Sequence, residues 1–292
     1  MNVTMHRAEV RTMVLLLIAA TSGGGAGLCA QTAGQKTFAS SKDALSAFVQ
    51  AVSTDNTADL AAILGEGGGA IVYSGDPVAD NAARDHFIAE YNAKHALVGA
   101  GGHNYTLLVG TSDYPLPIPL VNNGGKWYFD GVAGKEEILY RRIGNNELSA
   151  IDVCRGVVDA QRDYAASGHD GKPAGAYAAR LMSTAGKQDG LYWETKADQP
   201  QSPAGPLLAE ASSEGYGAGK GAPYHGYIYK LIENPGGFAL LAYPAEYRNS
   251  GVMTFVVTQS GVVYQKDLGK DTGAIAQRIN VYQMDGTWPT VQ

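Results

Sequence analysis

The sequence predicts an α+β fold with two antiparallel sheets. Apolar residues recur at helical spacing in residues 42–96 and 134–166. The sequence Asn-Asn-Gly-Gly at 122–125 predicts a hairpin turn, because Asn and Gly tolerate positive φ. In the last third of the chain, runs rich in β-branched and aromatic residues are bounded by Gly, Pro, Asn or Ser, as is typical of consecutive strands. These predicted strands are residues 226–232, 238–243, 252–257 and 262–266.

The N-terminus has the pattern of a cleavable secretory signal peptide. A mildly basic start at residues 6–11 precedes an apolar run at 12–20 and a stretch of small residues that ends at Ala30. The apolar run is too short to cross a bilayer, which takes roughly twenty residues. We therefore predict cleavage after Ala30 and export to the periplasm or the medium. The alternative is a lipoprotein anchored through Cys29, which the preceding Leu28 disfavours.

Composition excludes several classes of partner. The formal net charge is −6 over the whole chain and no basic cluster occurs, so we expect no electrostatic binding to nucleic acid or to an anionic membrane surface. After cleavage Cys154 is the remaining cysteine, so the mature chain forms no internal disulfide and Cys154 is predicted to be a packing residue. No transmembrane helix is predicted after signal cleavage.

The N-terminal half predicts helices followed by strands. The expected helices are residues 42–53, 58–64 and 78–96, with a short strand at 70–74 between the second and third. Further strands are expected at residues 105–110, 117–121 and 126–130. This order of elements is similar to the cone-shaped fold shared by nuclear transport factor 2 and many small ligand-binding or isomerase domains, which implies helices on a curved antiparallel sheet.

The C-terminal half predicts a long helical region followed by the antiparallel sheet. A helix at 134–142 is expected to break at Gly144-Asn145-Asn146 and to resume at 147–166. Shorter helices are expected at residues 174–182, 207–212 and 271–279. The predicted division is a signal peptide at 1–30, an N-terminal α+β domain at 31–143 and a C-terminal helix-plus-sheet domain at 144–292.

Several sequence blocks together resemble a known family. They include Lys-Trp-Tyr-Phe-Asp at 126–130, Asp-Gly-Leu-Tyr-Trp at 189–193, Pro-Tyr-His-Gly-Tyr at 223–227 and Ala-Tyr-Pro-Ala-Glu-Tyr at 242–247. The set resembles a bacterial secreted family described as a domain of unknown function (number 2950). The resemblance implies no activity, substrate or catalytic residue. In the family a longer Gly-rich segment separates two of the strands, whereas here the connection is only Glu-Asn-Pro-Gly at 233–236.

The second half also resembles the globular head of type IV pilins and secretion pseudopilins. The likeness consists of a helix ending near Tyr164, a Gly-Tyr strand, a strand ending in Ala-Tyr-Pro and a Thr-Phe-Val-Val strand. It implies a helix packed on a small antiparallel sheet. Pilins carry this head on an N-terminal hydrophobic helix that this chain lacks, so assembly into a pilus is not expected.

The candidate catalytic residues are His225, Asp267 and Glu246. His225 is predicted to start a strand between aromatic residues and has a side chain that can titrate near neutral pH. Asp267 and Glu246 are the acids that can approach it if the sheet pairs in sequence order. A structural histidine at a strand end is the competing interpretation. Glu137 and Arg141, four residues apart, are predicted to form a surface ion pair.

Candidate ligand-binding residues are aromatic. If rings from the last third project together from one sheet face, they form a surface for a glycan or a protein. The candidates are Tyr192, Trp193, Tyr224, Tyr227 and Tyr243. No cofactor is predicted, and no metal site, because the sequence has neither a His-x-x-x-His pattern nor a cysteine pair.

These observations predict an exported cell-envelope protein that acts as a non-catalytic binding or assembly module for an envelope protein or polymer. The alternative is a periplasmic hydrolase or isomerase that uses His225 with a nearby carboxylate. A third hypothesis is a pseudopilin-like accessory to secretion. A pocket containing His225 bonded to a carboxylate favours catalysis, and a flat aromatic face favours binding.

Overall fold

The N-terminal half packs helices on an antiparallel sheet. The computed structural model describes residues 34–196, 198–216, 222–283 and 285–291. The helices are α1 (Ser41–Ser53), α2 (Thr57–Leu64), α3 (Gly68–Val72) and α4 (Pro77–Ala93). The strands are β1 (His95–Gly99), β2 (Asn104–Val109), β3 (Tyr114–Pro115), β4 (Leu120–Asn123) and β5 (Lys126–Phe129), paired in the order β1-β2-β4-β5 with β3 beside β2.

Local sequence explains where the N-terminal helices begin. Ser40 caps α1 by accepting a hydrogen bond from the backbone N–H of Asp43. Asp76 caps α4, whose first residue is Pro77, a residue suited to a helix start because it needs no N–H partner there. The apolar faces of α1, α2 and α4 pack on the sheet around Phe48 and Phe129, whose rings lie 4.8 Å apart.

Two predictions for this half are wrong. Residues 70–74 were predicted as a strand, but α3 covers 68–72, and its end is fixed by Arg142, whose guanidinium donates to the carbonyl of Ile71 at 3.0 Å. The helix predicted at 78–96 ends at Ala93, and residues 95–99 form β1 in register with β2. Tertiary contacts override local preference here, since Ile-Val-Tyr at 71–73 favours a strand and yet ends a helix.

The central helix α5 (Gly131–Ala165) runs without a break for 35 residues. The predicted interruption at 144–146 is therefore wrong. Asn146 donates from Nδ2 to the carbonyl of Ser250 at 2.8 Å, and Glu147 Oε1 accepts from the backbone N–H groups of Val252 and Met253 at 3.0 Å. These bonds hold the middle of the helix against the loop that joins the second and third strands of the C-terminal sheet, and they offset the low helix propensity of Gly-Asn-Asn.

The C-terminal sheet confirms the four predicted strands. The strands β6 (Tyr227–Asn234), β7 (Gly237–Pro244), β8 (Met253–Thr258) and β9 (Val263–Asp267) pair antiparallel in sequence order. One face packs on α5 and the other on α7 (Thr272–Arg278) and the C-terminal tail. On β7 the residues alternate, so that Leu240 faces α5 and Leu241 faces α7.

The segment between α5 and α6 (Gly205–Ser213) is irregular. Residues 174–182 do not form the predicted helix. Gln161, fully buried on α5, donates from Nε2 to the carbonyl of Ala178 and accepts from its N–H through Oε1. The backbone groups that a helix needs for its own bonds are thus engaged by one side chain.

The two halves meet at buried polar contacts. Asp76 is 1% exposed, and its Oδ2 accepts from the Tyr216 hydroxyl at 2.8 Å and from the Gly226 N–H at 3.0 Å. Arg142 donates to Oδ1 of Asn249 at 2.8 Å as well as to Ile71. The start of α4 and the middle of α5 are therefore bonded to the loops around the second sheet.

The structure confirms the α+β class. Residues Gln31–Gln292 form one compact unit, and the boundary predicted at residue 143 falls inside α5. The division into two domains and the likenesses to nuclear transport factor 2 and to pilin heads stay predictions. The predicted signal peptide at 1–30 lies outside the described residues.

Candidate functional site

An open groove lies between α5, α6, residues 179–184 and the edge of the second sheet. Its volume is about 1010 Å³, and we call it the apolar groove. Its walls include Val153 and Val157 from α5, Leu207 and Leu208 from α6, and Leu231 from β6. Sites for small ligands typically have volumes of roughly 300–1,000 Å³ and mostly apolar walls, so the groove has the size and character of a ligand site.

Strand β6 presents open backbone groups to this groove. It is an edge strand, and the bond from the Ala245 N–H to the Gly226 carbonyl shows that the even-numbered residues of β6 bond to β7. The odd-numbered residues point outward. At the two ends Tyr227 bonds with Tyr224, and Glu233 bonds with residues 280 and 282.

Between these ends, Tyr229 and Leu231 line the apolar groove. Within the described residues, their backbone N–H and C=O groups make no hydrogen bond at this edge.

Two tyrosines line one end of the apolar groove. Tyr216 and Tyr224 line it, with their rings 4.8 Å apart. Burial, followed by the charge of Glu214, raises the pKa of Tyr224. Burial and the bond to Asp76 raise the pKa of Tyr216. Both hydroxyls are therefore protonated at neutral pH; that of Tyr216 donates to Asp76, and that of Tyr224 is bonded to Glu214.

His225 lies in a tight turn before β6 and not in the strand itself. Its φ is +48° and that of Gly226 is +71°, and Tyr224 and Tyr227 exchange backbone hydrogen bonds across the turn. Positive φ at both central residues is the type I′ geometry. The Nε2 of His225 lies 3.1 Å from Oε2 of Glu214, and its ring lies 4.2 Å from that of Tyr224.

Neither of the two acids predicted to approach His225 is bonded to it within the described residues. Asp267 stands in the row Tyr227, Pro244, Met253, Asp267, three strand spacings or about 14 Å from β6. Its carboxylate accepts from the hydroxyl of Tyr247 and from the N–H of Gly269. Glu246 accepts from Nδ2 of Asn249 at 2.6 Å. The carboxylate that meets His225 belongs instead to Glu214, which sequence reasoning missed.

The five aromatic candidates do not share one face. Tyr227 is buried against α5 and donates its hydroxyl to the carbonyl of Met253, and Tyr243 is buried on the opposite face of the sheet. Tyr224 lines the apolar groove. Tyr192 and Trp193 line a separate open groove. The sheet therefore does not present a flat aromatic surface made of these five residues.

The second groove, the polar groove, has a volume of about 1090 Å³ and lies between residues 182–206 and the end of α5. Trp193 packs near His169, whose ring stacks on Tyr164 at 4.3 Å. Polar side chains and prolines dominate its lining. Ser202 contributes to it, and its buried Oγ has no hydrogen-bond partner within the described part of the chain.

Neither a reactive thiol nor a metal cluster lies among the described residues. Cys154 is fully buried on α5, and burial raises the pKa of its thiol to about 12. The thiol is protonated at neutral pH and unsuited to attack a substrate. Across residues 34–196, 198–216, 222–283 and 285–291, no group of three or more His, Cys, Asp or Glu side chains is placed to hold a metal ion.

Comparison with known families settles the relationship of the chain. The profile of the family described as "Protein of unknown function (DUF2950)" matches residues 35–236 and 233–291. The chain belongs to the DUF2950 family. A search of curated proteins and a search of solved structures each find no match.

The two matched stretches of the DUF2950 profile meet at residues 233–236, which is the short connection noted in the sequence. In the structure Asn234 and Gly237 pair directly across Pro235 and Gly236, and Gly236 has φ +78°. A Pro-Gly pair with positive φ at the glycine is a type II turn. The connection that joins the edge strand β6 to β7 is therefore a minimal hairpin.

Sequence reasoning missed most of the walls of the apolar groove. The helix predicted at 207–212 is confirmed within α6, but its position across the groove from the open edge of β6 depends on tertiary packing. The sequence predicted Leu231 only as an apolar residue of a strand and not as part of a groove. The described helices include none that is both long and apolar enough to cross a membrane.

Proposed function

We propose that this DUF2950 protein is exported and acts as a non-catalytic binding module that holds an apolar ligand in the apolar groove. The observation that carries the proposal is the groove itself, about 1010 Å³ in volume, with walls of Val and Leu side chains and one end lined by Tyr216 and Tyr224. A large, mostly apolar cleft with a few convergent polar groups is the usual form of a binding site.

The export part of the proposal is supported by the N-terminal sequence. A basic start, an apolar run at 12–20 and small residues up to Ala30 match a cleavable signal. Expression of the full chain in a Gram-negative host, followed by fractionation and intact mass measurement, tests it. We expect a periplasmic product that begins at Gln31, and a full-length cytoplasmic product contradicts export.

Binding in the groove can be tested by filling it. The mature protein is titrated with a fluorescent apolar probe, anilinonaphthalene sulfonate. Ala211 lines the groove, so Ala211→Trp is expected to reduce probe binding by about tenfold or more. Ala209 is exposed on α6 and does not line the groove, so Ala209→Trp is the matched control and is expected to bind normally. Equal binding by both variants contradicts the proposal.

A second candidate function, a hydrolase or isomerase, is favoured by the His225–Glu214 pair. A histidine 3.1 Å from a carboxylate beside a groove is an arrangement that general bases use. His225 itself does not line the apolar groove, whereas its neighbour Tyr224 does. Turnover of an ester and amide panel that is lost in both His225→Ala and Glu214→Gln, with folding intact, supports this function over the first.

A further inference from the structure

We infer that the apolar groove binds an extended peptide segment that adds to the sheet beside β6. The segment has an apolar residue, any residue and a second apolar residue, followed by a basic residue on its C-terminal side. This inference rests on the proposed function, because it names the class of ligand that the apolar groove takes.

The first argument comes from unpaired backbone. Tyr229 and Leu231 both line the groove, and within the described residues their outward N–H and C=O groups lack hydrogen-bond partners. Unpaired backbone groups beside an apolar wall are costly unless a partner or water satisfies them. An added strand supplies two acceptors and two donors at the spacing of alternate residues, about 7 Å.

The second argument sets the length. The edge is closed at Tyr227 by Tyr224 and at Glu233 by residues 280–282. The open part faces three residues, 229 to 231. A longer strand cannot continue the pairing without displacing these flanking segments. The ligand therefore pairs over three residues and leaves the edge at both ends.

The third argument sets the side chains. Tyr229 and Leu231 face the α5 side of the sheet, and Lys230 lies between them. In an antiparallel pair, residues directly opposite each other project to the same face. The ligand residues opposite Tyr229 and Leu231 therefore project toward Leu207, Leu208 and the rest of the apolar wall. The middle residue projects away and is free to vary.

The fourth argument comes from charge. Glu214, at the end of α6, lies 3.1 Å from His225, whose ring is 4.2 Å from that of Tyr224, and Glu210 lies four residues earlier on the same helix. Both carboxylates raise the pKa of Tyr224, as expected of negative charge at the Tyr224 end of the groove. An antiparallel ligand runs from Leu231 toward Tyr229, so its C-terminal side reaches this end. Because the ligand leaves the edge after the residue opposite Tyr229, a Lys or Arg that follows is not held to the alternation of the paired residues. It can turn toward the two carboxylates, to which its charge is complementary.

The experiment uses the mature protein and a labelled peptide, acetyl-Val-Thr-Val-Lys-amide, measured by fluorescence anisotropy. N-methylation of either Val removes an N–H that bonds to β6 and is expected to weaken binding by about tenfold or more. N-methylation of Thr is the matched control, because its N–H points away from β6. Replacing Lys by Glu is expected to weaken binding several-fold at low salt and less at high salt.

The outcomes separate the inference from the proposed function. Loss of binding on Val methylation but not on Thr methylation, together with loss in Ala211→Trp, supports the inference. If the apolar probe binds in an Ala211-dependent way but the peptide does not, the groove takes a non-peptide ligand and the inference is overturned while the proposed function stands. If sedimentation shows a dimer that the peptide does not dissociate, a second copy occupies the edge and the inference is also overturned.

Discussion

Replacing Asp76 by Asn should uncouple α4 from the start of β6. Asp76 is buried, and its two oxygens have separate tasks. The Oδ1 accepts from the N–H groups of Val78 and Ala79 at the start of α4, and the Oδ2 accepts from the Tyr216 hydroxyl and the Gly226 N–H. An asparagine side chain keeps one acceptor oxygen and turns the other position into a donor. Either the helix cap or the pair of long-range bonds must lose its acceptor.

The magnitude follows from these bonds. A hydrogen bond to a charged group contributes about 1.5–3 kcal/mol, and a buried donor left unpaired costs about 1–3 kcal/mol. We expect Asp76→Asn to lower the free energy of unfolding by about 3 kcal/mol, after allowing for the bonds that Asn keeps. Tyr216→Phe removes one bond and should cost about 2 kcal/mol. The double variant should lose less than the sum of the two, because both changes remove the same contact.

Urea unfolding followed by tryptophan fluorescence measures these differences. Asp43→Asn is the control, since Asp43 is exposed in the first turn of α1 and the same chemical change there should cost about 0.5 kcal/mol or less. If Asp76→Asn unfolds within the error of the Asp43 control, the two long-range bonds contribute nothing and the assigned coupling is refuted.

Three further predictions concern α5 and its contacts. A Cβ added at Gly144 meets no neighbour within 4 Å, so Gly144→Ala should stabilise the protein by about 0.5–1 kcal/mol if the helix is continuous. Gly131→Ala is the control and should destabilise it, because the added Cβ overlaps the Leu64 carbonyl. A neutral or destabilising effect of Gly144→Ala in urea unfolding contradicts a continuous helix. Gln161→Leu frees both backbone groups of Ala178, so it should lower the free energy of unfolding by about 3 kcal/mol and speed tryptic cleavage after Arg180. Gln199→Leu, on the surface, is the control and should do neither. Unchanged proteolysis of Gln161→Leu argues against the role of Gln161 in holding residues 174–182. Burial raises the pKa of Cys154 from 9.0 to about 12, so the folded state holds the thiol proton more tightly than the unfolded chain does. The stability that this proton contributes is complete below pH 9 and is lost as the pH rises toward 12. Between pH 8 and 10.5 the wild type should therefore lose about 2 kcal/mol more than Cys154→Ala, and parallel pH profiles contradict the raised pKa.

The second sheet could be predicted because its pattern is strong and local. The runs in the last third alternate or are continuously apolar, and both sides of β7 are covered, as the burial of Leu240 and Leu241 shows. The predicted pair of Glu137 and Arg141 is also confirmed, with 2.7 Å between Nε and Oε1. Both signals depend on residues that are near in sequence.

The failures share a different cause. The break predicted at 144–146 and the helix predicted at 174–182 were decided by partners about 15 to 100 residues away. These partners are the backbone carbonyl of Ser250 in the first case and the side chain of Gln161 in the second. Local propensity differs by at most about 1 kcal/mol per residue, and a few tertiary hydrogen bonds exceed it. A single sequence gives no direct sign of such distant partners.

The site was less predictable than the fold. His225 was identified from its aromatic neighbours, but its carboxylate partner Glu214 follows a helix whose position depends on packing against α5 and β6. The register of the sheet places Asp267 three strands away from β6. The open edge at Tyr229 and Leu231 required knowing which strand lies at the edge and which residues face outward. Strand order and edge identity are properties of the assembled sheet.

Hydrogen exchange at the amides of Tyr229 and Leu231 tests the central claim most directly. In the free protein these two amides should exchange faster than those of Ile228 and Lys230, which bond to β7. The reason is that the amides of Tyr229 and Leu231 have no hydrogen-bond acceptor within the described residues. Addition of the Val-Thr-Val-Lys peptide should slow both by about tenfold or more and leave the β8 amides unchanged. Slow exchange without peptide, or no change when the peptide is bound, would contradict an open edge that accepts an added strand.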